Sequence, residues 1–188
     1  MILEQFDLSG KTAIITGAGT GLGRAMALAM ADAGADIYGA ARRLDPLEQT
    51  KALVEAKGRR MAIGSTDVTV TDQVKAMTED AVDQFGKIDI LAPVVGIAGP
   101  TKDLHELTLA EWRQVQIVNV DSAFLCCKAV LPHMIERRAG RIILYSSPTG
   151  KQPLAHRSSY ATSKMAIIGL TRTLAAEVGR HLITVNAI

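Results

Sequence analysis

The sequence predicts an α/β fold, a doubly wound parallel sheet with helices on both faces. Three observations point to it. Six short apolar runs rich in strand-forming residues alternate with longer stretches of helical character, and strands that alternate with helices form parallel sheets covered on both sides. The first run leads directly into a glycine-rich turn and then a helix, the opening of a βαβ unit. The length, 188 residues, suits one domain over 1–188 and is short for two.

Residues 11–16 (Lys-Thr-Ala-Ile-Ile-Thr) form the first strand. Gly17-Ala18-Gly19-Thr20-Gly21-Leu22-Gly23 follows, then an alanine- and methionine-rich helix over 24–33 closed by Gly34. Glycines let the backbone turn tightly and approach a ligand, and a helix start offers free N–H groups and a positive dipole end, so the arrangement suits a pyrophosphate. A turn without a ligand is the bland alternative; the strand–turn–helix context favours a nucleotide.

Residues 36–41 read as the second strand. In a dinucleotide fold its end faces the adenosine ribose, where an acid suits the ribose hydroxyls and an arginine suits a 2′-phosphate. Here Ala41 is followed by Arg42 and Arg43. That favours NADP over NAD; the alternative is solvated surface charge. Residues 44–57 form an amphipathic helix with Leu44, Leu47, Val54 and Ala56 on its apolar side, ended by Gly58. The third strand spans 61–68 and ends in Asp67-Val68. Asp67 could accept from the adenine amino group or cap the next helix, over 72–85. The fourth strand, 88–95, contains Pro93, which cannot donate to a ladder and belongs at an edge, an end or a bulge.

Gly96 and Gly99 open a loop. Thr108-Leu109-Ala110-Glu111 is a capping box that starts a helical region running to about 138, either two helices or a kinked one, with Asn119 in its middle. The fifth strand, 141–146, precedes Ser147. A helix over about 159–179 and a sixth strand over 183–188 complete the chain.

The last helix opens on Tyr160-Ala161-Thr162-Ser163-Lys164. Residues four apart share a helix face. A free phenol, with a pKa of about 10, is idle at neutral pH. An ammonium one turn away favours the phenolate, which makes the pair a workable acid/base. As a helix-surface pair alone it would be unremarkable.

Composition narrows the function classes. Hydrophobic residues make up 48% and charged residues 21%, and 21 Lys+Arg against 19 Asp+Glu leave a net charge of +2. Nothing in that balance calls for nucleic acid or an anionic membrane as partner. Cys126 and Cys127 are adjacent in a helical stretch and point to different faces, so they read as reduced thiols in a cytoplasmic protein, buried or half-buried. No apolar run approaches a membrane span, the N-terminus lacks the pattern of a signal peptide, and the four scattered histidines offer no metal site.

Taken together, Thr16-Gly17-x-x-x-Gly21-x-Gly23 and Tyr160-x-x-x-Lys164 resemble the motifs of the short-chain dehydrogenase/reductase family, in its simple oxidoreductase branch. The resemblance covers essentially the whole chain. It implies a Rossmann fold with strand order 3-2-1-4-5-6. It implies that Tyr160 is the acid/base, that Lys164 tunes it and binds the nicotinamide ribose, that Ser147 holds the substrate oxygen, and that Asn119 completes a proton relay through a water. The cofactor would rest on Gly17, Gly19, Thr20, Gly21, Leu22, Gly23, Arg42, Asp67, Val68 and Gly96, as well as on Tyr160 and Lys164.

Two departures stand out. Family members usually carry Asn-Asn-Ala-Gly after the fourth strand, where this chain has Pro93-Val94-Val95-Gly96. The family's seventh strand and substrate lid are absent from this sequence. The expected function is hydride transfer between NADP(H), with NAD as the alternative, and a secondary alcohol or ketone, a sugar acid or another small polar compound. The competing expectation is a truncated, catalytically impaired relative with residual nucleotide binding or an interaction role. Apolar residues on more than one face of the Asn119 and Tyr160 helices imply a homodimer or homotetramer.

Overall fold

The computed structural model describes residues 6–188. Six strands form one parallel sheet: β1 (Thr12–Thr16), β2 (Asp36–Ala41), β3 (Met61–Ser65), β4 (Ile90–Pro93), β5 (Gly140–Leu144) and β6 (Ile183–Ala187). Their order is β3-β2-β1-β4-β5-β6, as the sequence implies. The helices are α1 (Gly21–Asp32), α2 (Leu44–Glu55), α3 (Thr71–Phe85), α4 (Leu109–Gln116), α5 (Ser122–Arg137) and α6 (Ser158–Val178).

Strand β1 is buried throughout, and its alternating side chains feed two separate cores. Ile14 packs with Val74 and Met77 of α3, Val130 and Met134 of α5, and Ile167 of α6. Ala13 and Ile15 face the other way, toward Ala27 and Met30 of α1 and Leu47 and Val54 of α2. Burying an isoleucine such as Ile14 contributes about 1.5–3 kcal/mol, so truncating it to alanine would loosen the α3–α5–α6 layer first. After β3 the chain crosses to β4 on the far side of β1. The loops leaving β1 and β4 therefore diverge, and a crevice opens at the carboxyl ends of the strands.

Several elements differ from expectation. Strand β3 stops at Ser65, three residues early. Asp67 instead builds a local turn, accepting from the Thr69 N–H (2.9 Å) and the Thr69 hydroxyl (2.6 Å). It does not cap α3, whose N-cap is Val70. Strand β4 covers only Ile90–Pro93. Pro93 sits at the end of a central strand, in register with Thr16 of β1, beyond the last β4–β5 pair, Leu91↔Ile142. In α2 the buried positions are Leu47, Thr50 and Val54, whereas Leu44 and Ala56 face solvent.

The helical region after Thr108 is one continuous run. The capping box is present, with Thr108 Oγ1 accepting from the Glu111 N–H at 3.2 Å. A π-helical segment, Ile117–Asp121, joins α4 to α5 and carries the buried Asn119. As a result Leu109–Arg137 is long and apolar enough, by length and composition alone, to cross a membrane, contrary to the expectation of no such run. In this fold its apolar side chains Val130 and Met134 are buried against the sheet.

At the amino end of β4, Asp89 is 8% exposed and heavily partnered. It accepts from the Thr12 N–H (2.9 Å) and from Arg137 Nη2 (2.8 Å), and Lys87 Nζ lies 3.3 Å away. Burial works against this carboxylate, but Arg137, the Thr12 N–H and Lys87 outweigh it and hold its pKa below the ordinary value.

Candidate active site

The glycine turn is fixed by its neighbours on α1 and α2. Gly17 and Gly21 have φ of +71° and +51°, where side chains are disfavoured. A Cβ on Gly19 would stand 3.0 Å from Pro46 Cβ, and one on Gly23 would be driven into the Gly17 carbonyl. The Thr50 hydroxyl bonds the carbonyls of Ala18 and Pro46, both at 3.0 Å, and accepts from Arg24 Nε at 3.0 Å. Helix α1 begins with no side-chain cap and no acidic residue in its first turn. Its N–H groups and dipole end therefore suit an anion.

A cavity of about 620 Å³ opens over this turn. Of the residues singled out from sequence, Gly17, Gly19, Thr20, Arg42, Asp67, Val68 and Gly96 line it. Arg42 is exposed at the rim, with its carbonyl accepting from Ser65 Oγ (3.2 Å). The two Thr69 bonds lower the pKa of Asp67, and the Arg42 charge adds to that effect, so a cation and an anion share this end of the cavity. Gly21, Leu22 and Gly23 are not in the lining; Leu22 is 70% exposed and Gly23 serves the packing of the turn. Pro46 and Ile97 join the lining without having been singled out. Thr50 and Arg24 behind the turn were likewise missed, since a mid-helix threonine and an arginine carry no motif.

Asn119, Ser147, Tyr160 and Lys164 lie outside that lining, and Gly96 connects the two groups. A Cβ on Gly96 would stand 3.3 Å from Asn119 Oδ1 and 3.6 Å from Lys164 Nζ. Lys164 is 7% exposed, and burial pushes its pKa below the ordinary lysine value. Its Nζ donates to the Tyr145 carbonyl (2.8 Å) and lies 5.6 Å from the Tyr160 ring centroid. No carboxylate pairs with it among the described residues. The Asn119 amide is fully engaged: Oδ1 accepts from the Ile97 N–H (2.8 Å), and Nδ2 donates to the Ile97 carbonyl and to Ser163 Oγ, both at 2.9 Å. Ser147 Oγ accepts from the Thr149 N–H (3.2 Å) at the start of a 3₁₀ turn, Pro148–Gly150.

At the carboxyl end of β1, the Thr16 hydroxyl is fully buried with no hydrogen-bond partner among the described residues. It faces the apolar Pro93 position in the register, where the sequence departs from the family pattern.

A crevice at the strand ends, walled by a glycine turn and meeting a buried ammonium beside a phenol, is the layout of a dinucleotide-dependent oxidoreductase. Comparison with known proteins narrows the class. The family model for short chain dehydrogenase matches residues 11–188. A 2-dehydro-3-deoxy-D-gluconate 5-dehydrogenase from Dickeya dadantii is 40% identical over 189 residues, covering 100% of this chain and 74% of the relative. Among solved structures, carveol dehydrogenase from Mycobacterium avium in complex with NAD superposes with a TM-score of 0.93 at 30% identity, over 96% of this chain and 70% of that one. A metagenomic short-chain oxidoreductase in complex with NADP gives 0.91 at 30% identity, over 96% and 81%. The chain belongs to the short-chain dehydrogenase/reductase family of NAD(P)-dependent oxidoreductases.

Proposed function

We propose that the protein transfers a hydride between NADP(H) and a secondary alcohol or ketone on a small polar molecule of the sugar-acid class. The observation that carries this reading is the buried Lys164 ammonium, without a carboxylate partner among the described residues and within 6 Å of the Tyr160 ring. A cation held that way is placed to offset negative charge that develops in the site as a proton moves. Tyr160 then takes the proton from the carbinol oxygen, or returns it to the carbonyl oxygen in the reverse direction. Ser147 holds that same oxygen through its hydroxyl proton, which no described group accepts. Asn119 holds Ile97 and Ser163 in place beside the proton relay. The bound nicotinamide supplies or takes up the hydride.

Arg42 at the cavity rim supports NADP over NAD, because a guanidinium suits a 2′-phosphate. The sugar-acid class rests on the Dickeya relative's substrate. Phe124 of α5 and Met165 of α6 are 47% and 51% exposed, which supports a homodimer or homotetramer built on these helices. The buried, unpaired Cys126 and Cys127 support a reducing, cytoplasmic setting, and we read the chain as a single domain.

The test is turnover of 2-dehydro-3-deoxy-D-gluconate with NADP⁺, in the wild type and in Tyr160→Phe. Turnover should fall by about 10²–10⁴-fold in the variant, with NADPH binding retained. A Phe variant as active as wild type would refute the role of Tyr160, and binding without turnover of any carbonyl would favour the impaired reading.

A further inference from the structure

We propose that Arg157 is a positioning residue for Tyr160, acting through the loop that follows β4. The inference rests on the reading of Tyr160 as the acid/base group. Arg157 lies three residues before Tyr160 and Ser163 three residues after it, and both are tied to the same stretch of loop, 97–99. Ser163 is tied through Asn119, whose amide nitrogen bonds the hydroxyl of Ser163 and the carbonyl of Ile97. Arg157 is tied directly: its Nη1 donates to the carbonyls of Ala98 and Gly99, both at 3.3 Å. Tyr160 thus sits between two fasteners that share one anchor.

The anchor is itself well defined. Gly99 has φ of +66°, and a Cβ there would press on Val115 Cγ2 at 2.5 Å, so the loop is packed against α4. A second tie lies beside the first. The Lys102 N–H donates to the His156 carbonyl (3.1 Å), and His156 Nδ1 lies 2.8 Å from Asp103 Oδ1. Lys102 Nζ in turn bonds Glu111 Oε1 of the capping box at 2.6 Å. His156 is held at φ +62°, a left-handed conformation that persists where the surroundings fix it. On the other side of the tyrosine's turn, Gln116 Nε2 donates to the Ser159 carbonyl at 3.0 Å.

The start of α6 needs these restraints, because Arg157 occupies its N-cap without making a side-chain cap. Removing the guanidinium frees one side of the loop and the turn that carries the phenol. A misplacement of about 1 Å at a reacting group can cost about 10²-fold in rate. Arg157 does not line the nucleotide cavity, so cofactor affinity is spared.

The test uses the full chain as wild type, Arg157→Ala, Arg157→Lys and His156→Ala. Three quantities are read: NADPH affinity, turnover of 2-dehydro-3-deoxy-D-gluconate with NADP⁺, and backbone hydrogen exchange at 97–99. In Arg157→Ala, kcat should fall about 10–100-fold with substrate KM and NADPH affinity within about twofold, and exchange at 97–99 should quicken. Arg157→Lys, which can still donate to a carbonyl, should recover much of the loss. His156→Ala should show a smaller fall of the same kind, and it carries the test if Arg157→Ala does not fold. Unchanged kcat, a loss confined to KM, or no recovery with lysine would overturn the proposal. If the wild type turns over no carbonyl, the functional reading fails separately, and unchanged exchange in Arg157→Ala would still overturn the clasp.

Discussion

The two ends of β4 are built on opposite principles. At the amino end, Asp89 is buried but satisfied, with an arginine, a lysine and a backbone N–H around it. At the carboxyl end, Lys164 is equally buried but, among the described residues, its ammonium bonds only a backbone carbonyl and Thr16 Oγ1 has no partner. A buried charge with partners ties elements together, whereas one without them raises the energy of the native state and persists where function needs it. The difference separates the end of the sheet that stabilises the fold from the end that carries the candidate site.

Removing a partner should therefore have opposite signs at the two ends. The largest effect is expected for Asp89→Ala, which leaves the Thr12 N–H without its acceptor and Arg137 with the Ile88 carbonyl but no carboxylate. Thermal or denaturant unfolding should show a loss of about 3 kcal/mol, at the low end for a buried pair because Arg137 keeps contact with water. NADPH affinity per folded molecule should be unchanged. The same carboxylate sets a pH dependence. Its folded pKa is depressed, so its contribution is fully present above about pH 4. It is lost as pH falls through the lower folded value. Asp89→Asn should flatten that acid limb of the stability curve, and an unaltered limb would show that Asp89 is not its source.

At the carboxyl end, Arg42→Ala should weaken NADPH binding by about tenfold or more while sparing NADH, as expected for loss of a charge-assisted hydrogen bond of about 1.5–3 kcal/mol. Equal losses for both cofactors would remove the basis of the NADP reading. Thr16→Val replaces an unpartnered hydroxyl with a methyl of similar shape, and unfolding should show a gain of up to about 1 kcal/mol. A clear loss would mean that the hydroxyl has a partner in solution. The smallest effect concerns Cys126 and Cys127, whose thiols burial pushes up to about 12. Neither should react with a maleimide in the native state on the timescale on which a small free thiol is consumed. Rapid labelling would place them outside the core.

The elements legible from sequence are those set by local pattern. The apolar runs mark all six strands, most plainly β1 and β4, which are buried throughout, and the glycine turn is legible because its neighbours in sequence supply the context. What escaped was set by contacts between distant residues. Strand β3 is the local exception: the apolar Val68 extends its pattern, yet the Asp67–Thr69 turn, two residues across, follows a strand that ends at Ser65. Thr50 and Arg24 brace the glycine turn from 26 residues apart. Arg157 reaches a loop almost 60 residues earlier, and no spacing rule connects them. The candidate acid/base residues are legible from motif, but the environment of each is set only in three dimensions. Lys164 is buried without a carboxylate, and Asn119 is wholly committed to Ile97 and Ser163.

The contrast between the two ends is tested most directly by Lys164→Met, which keeps the apolar stem and removes the charge, with stability and turnover measured on the same protein. The account predicts unfolding free energy equal to or above that of the wild type together with a turnover loss of about 10²-fold or more. A protein that is markedly less stable but still turns over its substrate would contradict it, because Lys164 would then belong to the fold and not to the chemistry.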